Sequence, residues 1–262
     1  MTHPLAAEAV VLAYDRTVVV DGLTVEFPKG SLTALIGPNG CGKSTLLRAL
    51  ARALRPRTGR VLLEGRPLLY LPTREVARLL SYLPQSPSAP PGLSVRELIA
   101  LGRFPHRQGL GGEGSTDRTA IDGALLAVGL AGRGDDEVDA LSGGQRQRAW
   151  IGMALCQGAT TLLLDEPTSH LDLAHQIEVL TLLRRLADEG RTVVVVLHDL
   201  QLAARHADRL IAMVDGRIAA QGTPVDVITP DVLRRVFAIA ADVIPDPQTG
   251  TPLCLPRSTL GV

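Results

Sequence analysis

Between Gly37 and Ser44 the chain reads GPNGCGKS, with glycines at 37, 40 and 42 and Lys43-Ser44 directly after the last of them. Glycine lets a backbone take left-handed angles and approach a ligand closely, so consecutive N–H groups can converge on an anion. An ammonium and a hydroxyl at the end of such a turn suit a phosphate chain and its divalent cation. The lysine is informative because the chain holds only Lys29 and Lys43 among 27 basic residues, the rest being arginine. A merely basic position would have drawn on arginine, whereas a compact ammonium fits between phosphate oxygens where a planar guanidinium does not. The stretch Gly37, Pro38, Asn39, Gly40, Cys41, Gly42, Lys43, Ser44 and Thr45 is therefore expected to cradle a nucleoside triphosphate, with Lys43 on the β- and γ-phosphates and Ser44 on Mg²⁺.

Two further apolar runs end in groups able to do chemistry. Leu162-Leu163-Leu164 leads into Asp165-Glu166, and Val193 to Leu197 leads into His198-Asp199. Runs of this kind read as strands buried on both faces of a parallel sheet, which presents ligands at its carboxyl edge. Asp165 can hold Mg²⁺ through its hydration shell, Glu166 can polarise an attacking water, and His198 can hydrogen-bond the γ-phosphate. The remaining histidines, His3, His106, His170, His175 and His206, show no metal-ligand spacing.

These groups need a scaffold, and the pattern around them supplies one. Leu32 to Ile36 is a strand before the glycine turn, and Leu46, Leu47, Leu50 and Leu54 form the inward stripe of a helix after it. Residues 9–27 alternate in polarity with turn signals at Tyr14-Asp15-Arg16 and Asp21-Gly22, predicting short antiparallel strands. RVLLEG reads as a strand and turn, and a short helix begins after Pro72. From about Ser86 to Gly134 prolines and glycines punctuate helical pieces, so a helical insertion is expected there, with 102–116 its most mobile part. Strand and helix then alternate again: Ala174 to Leu186 is a helix, Asp215-Gly216 a hairpin turn, and PDVLRRVFAI a last helix. No element is assigned to the proline-rich end of the chain.

The 262 residues allow one large domain or a core with a subdomain. Twenty-seven basic and 27 acidic residues cancel, and aromatics make up 3%, which argues against a nucleic-acid partner. Cys41, Cys156 and Cys254 lack paired or zinc-type spacing. Cys41, beside amides and a helix start, is expected to be acidified and to be shielded from alkylation by bound nucleotide. No signal peptide is apparent, and nowhere do about 18 apolar residues run together. A membrane role is thus expected to come through partners.

GPNGCGKST, LPQSP with Gln85, LSGGQRQR from Leu141 to Arg148, LLLDEPTSHLD and VLHD stand in the order and spacing of the ATP-binding cassette ATPases, which this sequence resembles over nearly its whole length. The resemblance implies an α/β fold: a RecA-like P-loop NTPase core with an antiparallel β subdomain and an inserted α-helical subdomain. The ATPase domain would span 5–240, its core 5–85 and 155–240 and its helical subdomain about 86–154, followed by a tail over 241–262. It also implies that Tyr14 stacks on adenine and that Gln85 reaches Mg²⁺ and water from a loop tied to a membrane permease. Ser142, Gly143, Gly144 and Gln145 would close over the γ-phosphate of a second copy, and Asp172 would link the two sites. The catalytic set is then Glu166, His198, Gln85 and Lys43, with Ser44, Gln85 and Asp165 on the metal. Residues 142–145 also read as a second anion-binding helix start, and one ATP rarely needs two from one chain, so an ATP-sandwiched homodimer is expected. A guanine reader of N-K-x-D type is impossible, because Asn39 is the only asparagine. LLEGRPLLYLPTREVARLLSYLPQSP, LGRFPH and VIPDPQTGTPLCLP look most like ATPase subunits of bacterial iron–siderophore importers, with haem and cobalamin importers close by. Such a subunit sits at the cytoplasmic face of the membrane, served indirectly by a substrate-binding protein. A soluble cassette ATPase outside transport is the weaker alternative, since those usually carry two cassettes or long coiled-coil insertions.

Overall fold

The computed structural model describes residues 3–107 and 114–259. Along the chain come β1 (Leu5–Tyr14), β2 (Thr17–Phe27), β3 (Leu32–Ile36), α1 (Lys43–Leu50), β4 (Thr58–Leu63), β5 (Arg66–Pro67), α2 (Thr73–Leu79) and β6 (Leu80–Leu83). The helical region follows with α3 (Val95–Leu101), α4 (Ser115–Ala127) and α5 (Gly143–Cys156). Then come β7 (Thr161–Leu164), α6 (Leu173–Asp188), β8 (Thr192–Val196), α7 (Leu200–His206), β9 (Arg209–Val214) and β10 (Arg217–Gly222). The chain finishes with α8 (Pro224–Val227), α9 (Pro230–Phe237), β11 (Ile239–Pro245) and β12 (Pro252–Thr259).

Two sheets carry the fold. One is antiparallel, in the order β2-β1-β4-β5; the other runs β10-β9-β3-β8-β7-β6, with only β10 antiparallel. In β8, Val194 and Val196 face a core shared with the antiparallel sheet and α1, while Val193 and Val195 face a core built with the helices on the other side. Side chains alternate along a strand, so a run buried at every position is what a sheet covered on both faces demands. Because β3, β6, β7 and β8 run parallel, their carboxyl ends share one edge, where Gly37, Gln85, Asp165 and His198 follow their strands.

The expected scaffold is present, with three differences. Asp21-Gly22 lies inside β2, where the β1–β2 register shifts, rather than in a turn; the sheet takes up the irregularity as a bulge. The helix after the glycine turn stops at Leu50, and Leu54 reaches the same core from the turn that follows. The chain end forms a hairpin of β11 and β12 packed on α9 and α7, tied by Gln201 Nε2 donating to the Cys254 carbonyl at 2.7 Å. Pro245 and Pro252 beside the turn and Pro256 within β12 hid its strands, yet a two-stranded sheet leaves edge positions where no N–H is needed. Of the segment 102–116, residues 108–113 lie outside the described residues. No helix among those described is long and apolar enough to cross a membrane.

Candidate active site

The glycine turn joins the end of β3 to α1. Gly37 sits at φ +146, and a Cβ there would overlap the Met213 carbonyl of β9, so no other residue fits where the turn leaves the sheet. The β9–β10 turn braces the loop from beneath through the Gly216 N–H, which donates to the Cys41 carbonyl at 3.1 Å. Lys43 is 5% exposed, and its Nζ donates to the carbonyls of Gly37 and Pro38 at 2.8 and 2.9 Å, so the only buried ammonium among the described residues lies inside the loop. Asn39, Gly40, Gly42, Lys43, Ser44 and Thr45 line a cleft of about 350 Å³, with Val19 on one side and Glu166 on the other.

Asp165 follows β7 and is 1% exposed, its backbone N–H held by the Leu83 carbonyl of β6 at 2.9 Å. Ser44 Oγ donates to Asp165 Oδ1 at 2.8 Å, bringing together two hard oxygen donors from α1 and β7. Burial pushes the Asp165 carboxyl up, and the Ser44 bond only partly opposes this, so the site gains from a nearby cation. Mg²⁺ prefers oxygen ligands, keeps several waters and shares phosphate oxygens, and this donor pair fits such an ion. Among the described residues there is no cluster of three or more His, Cys, Asp or Glu that would make a self-sufficient metal cage.

Glu166 is where the separate strands meet. Gln85 Nε2 donates to its Oε2 at 2.6 Å, Ser169 Oγ to the same oxygen at 2.9 Å, and His198 Nε2 lies 2.6 Å from Oε1. Its backbone takes φ +52, a conformation that costs a residue with a side chain of order 1 to 3 kcal/mol and persists only when neighbours enforce it. Burial acts to raise the carboxyl, but the bonds from His198, Ser169 and Gln85 outweigh it and leave Glu166 below its ordinary range. A carboxylate so held is ionised at neutral pH, oriented, and adjacent to the cleft of the glycine turn, as an acceptor for a water proton must be.

The expected residues divide into two groups. Gly37 to Thr45, Gln85, Asp165, Glu166 and His198 share one sheet edge. None of Ser142, Gly143, Gly144, Gln145 or Asp172 lines the cleft. Ser142 caps α5, accepting from the Gln145 N–H at 3.3 Å while the Gln145 side chain takes the Ser142 N–H at 3.2 Å. Asp172 caps α6 and accepts from the His175 N–H at 2.9 Å. Tyr14 stands at the β1–β2 turn, 41% exposed, with Arg48 Nη1 of α1 donating to its hydroxyl at 3.3 Å.

Sequence reasoning missed Ser169, Arg48 and His175. Ser169 lies in the LLLDEPTSHLD run with no role assigned to it, though a hydroxyl three residues past a carboxylate in a turn is a recognisable partner. Arg48 reads as a solvent-facing residue of α1, yet it reaches both Tyr14 and Tyr82. One expectation is overturned: the Cys41 thiol is 5% exposed, and burial raises it despite the nearby Lys43 ammonium. Alkylation of Cys41 in native protein is accordingly expected to be slow with or without ATP, at least tenfold slower than after unfolding by the order-of-magnitude logic of a buried thiol, ~10-fold or more. Rapid labelling that ATP abolishes would reverse that reading.

The sequence model of the ABC transporter family matches residues 20–169, more than half of the chain. The chain belongs to the ABC transporter family. It is 52% identical over 254 residues to YusV of Bacillus subtilis strain 168, named a "Probable siderophore transport system ATP-binding protein", covering 97% of this chain and 92% of that one. The iron(3+)-hydroxamate import ATP-binding protein FhuC of the same strain is 48% identical, with 97% and 94% covered. The cobalamin import ATP-binding protein BtuD of Halobacterium salinarum strain R1 is 41% identical, covering 95% of this chain and 62% of BtuD. Among solved structures, one described as a metal-chelate type ABC transporter in an inward-facing conformation superposes with a TM-score of 0.85 at 29% identity, 98% of each chain covered. The ATP-binding cassette MJ0796, a dimer in a post-hydrolysis state with ADP and Pi, superposes at 0.73 and 26% identity, covering 84% of this chain and 98% of that one. This ABC chain therefore has the family's α/β ATPase fold, with P-loop core, antiparallel β subdomain and helical subdomain, and it binds ATP as an ABC transporter ATPase.

Proposed function

We propose that this ABC ATPase powers the uptake of iron(III)–siderophore complexes through a membrane permease, at the cytoplasmic face of the membrane. The observation that carries hydrolysis is the Glu166 carboxylate, gripped by Gln85, Ser169 and His198 beside the phosphate cleft. Full-length similarity to YusV and FhuC supports the cargo, ahead of cobalamin at lower identity.

In this reading the Gly40 and Gly42 amides and Lys43 take the β- and γ-phosphates, and Ser44 and Asp165 take Mg²⁺, with Gln85 reaching it from β6. When bound, Mg²⁺ neutralises the phosphate oxygens and favours departure of ADP. Glu166 accepts the proton of the attacking water, while His198 and Gln85 keep the carboxylate aimed and ionised. Tyr14 stacks on adenine, its hydroxyl fixed by Arg48. A second copy supplies Ser142, Gly143, Gly144 and Gln145 to close the site, with Asp172 between the two sites. ATP then holds two copies together, and hydrolysis releases them.

The permease is expected at the 3₁₀ turns Leu68–Tyr70, which precedes α2, and Phe104–His106, which packs on α2. Arg74 and Arg78 of α2 clamp the Pro105 carbonyl at 2.8 and 3.1 Å, His106 Nε2 donates to the Gln157 carbonyl at 2.8 Å, and Arg103 pairs with Asp117 at 2.8 Å. That anchoring leaves Phe104 77% exposed, and Tyr70, in the turn before α2, is 82% exposed. A rigidly held aromatic offered to solvent is the anchor an interface uses. Deleting the gene should abolish uptake of labelled ferric siderophore and spare cobalamin and haem uptake; loss of cobalamin uptake alone would move the cargo assignment. Phe104→Ala should weaken co-purification of the permease by about 2 kcal/mol, roughly 30-fold, with ATP affinity unchanged. Undiminished co-purification would place the permease elsewhere.

A further inference from the structure

The start of α5 and the start of α6 meet at the His175 ring. Asp172 Oδ1 accepts from the His175 backbone N–H at 2.9 Å and lies 2.7 Å from His175 Nδ1. An ionised carboxylate only accepts, so Nδ1 carries the proton. The Asp172 carboxyl lies below its ordinary range, chiefly through the two bonds from His175. On its other side the ring lies against Gly144, where a Cβ would overlap it. Gly144 has no positive φ requiring glycine, so room for the imidazole is what the missing side chain provides here. One residue earlier, Gly143 faces Leu171, the neighbour of Asp172. Gln176 Nε2 donates to the Leu171 carbonyl at 2.9 Å, which holds this loop onto α6.

We infer that His175 is a positioning residue that clasps Asp172 to the Gly143-Gly144 pair, so that the two elements this chain offers to the other copy's nucleotide move as one body. The inference rests on the two-copy reading above. His175 touches no phosphate in that arrangement and lines no part of the cleft. It acts through Asp172 on one side and Gly144 on the other. Loss of the ring leaves Asp172 with only the backbone N–H of residue 175 as its partner there and opens a gap beside Gly144, so the surface presented to the partner copy becomes less ordered before docking. Order that must be imposed at docking weakens association, with no loss in the copy's own hold on nucleotide.

The test uses the full chain carrying Glu166→Gln, with dimer formation in Mg-ATP followed by sedimentation over a range of protein concentrations. Adding His175→Ala should raise the concentration for half-dimerisation by about tenfold, with fluorescent-ATP affinity and melting temperature nearly unchanged. His175→Asn keeps an N–H where Nδ1–H stands and should recover most of the loss. Unaltered dimerisation in His175→Ala would overturn the clasp and leave the two-copy reading intact. Nucleotide affinity or melting temperature falling in step with dimerisation, or no rescue by asparagine, would reduce His175 to a helix-capping role and overturn it equally. A Glu166→Gln chain that stays monomeric in saturating Mg-ATP would sink the two-copy reading and the clasp with it.

Discussion

Glu166→Gln should bind Mg-ATP and hydrolyse it 10²- to 10⁴-fold more slowly than the native chain, of order the contribution of a positioned general base, ~10²–10⁴. The amide matches the carboxylate in size and still accepts a hydrogen bond, so the strained turn at Glu166 keeps its shape. What disappears is the charge and the capacity to take a proton. With association intact and hydrolysis stopped, ATP-bound dimer should accumulate, visible as a doubling of mass in Mg-ATP. Hydrolysis near the native rate would remove Glu166 from the role of base. The pH dependence has a definite sign. The folded carboxyl titrates below its ordinary value of 4.5, so Glu166 stays ionised through neutral pH and well into the acid range. Its bonds therefore contribute stability above the unfolded value, a contribution lost as pH falls through the lower folded value. An acidic limb of the rate profile above pH 5 would belong to some other group. His198→Ala removes the largest of the contacts that lower the Glu166 carboxyl, and should move any limb caused by it toward higher pH.

Lys43→Ala should cost about 2 to 4 kcal/mol in ATP affinity, roughly 30- to 1000-fold, since it deletes the buried charge proposed to face phosphate. Lys43 is the cation inside the turn, and its stem is packed between the loop and Cys41, with Nζ 3.8 Å from Sγ. Arginine in its place should recover little, because the carbonyls of Gly37 and Pro38 are placed around a compact ammonium, and a guanidinium is a broad planar fork. Isothermal titration with ATP and with ADP would separate the contributions: the loss should be larger for ATP if the ammonium serves the γ-phosphate. Equal affinity of native and variant chains for ATP would undo the assignment of the cradle.

Much of this site was legible because its chemistry is local in sequence. The residues from Gly37 to Thr45 form one turn, and a turn is written in the residues that make it. Asp165-Glu166 and His198 could be placed at a sheet edge from the apolar runs before them, since a strand buried on both faces has few other readings. The helical insertion was legible from prolines and glycines between short periodic stretches, and α3 and α4 stand where that pattern put them. Pattern reading failed where the cause lay far along the chain. The bulge at Asp21-Gly22 is set by pairing with β1, and the β11–β12 hairpin is held by α7 and α9. The Cys41 thiol was misjudged because its burial comes from the packed core around it, which local electrostatics does not report.

The sequence alone determined the glycine turn, the order of the strands and helices before the terminal hairpin, and which residue types could serve water, metal and phosphate. Those follow from backbone stereochemistry and hydrophobic period, both of which act over a few residues. Only the tertiary structure decided that Gln85, Ser169 and His198 converge on the two oxygens of Glu166. It also decided that Gly144 makes room for His175 and that the residues from Ser142 to Gln145 stand outside the cleft their own chain builds. The reason is geometric: parallel strands far apart in sequence bring their ends to one edge, and the separations between those ends are fixed by packing across the sheet.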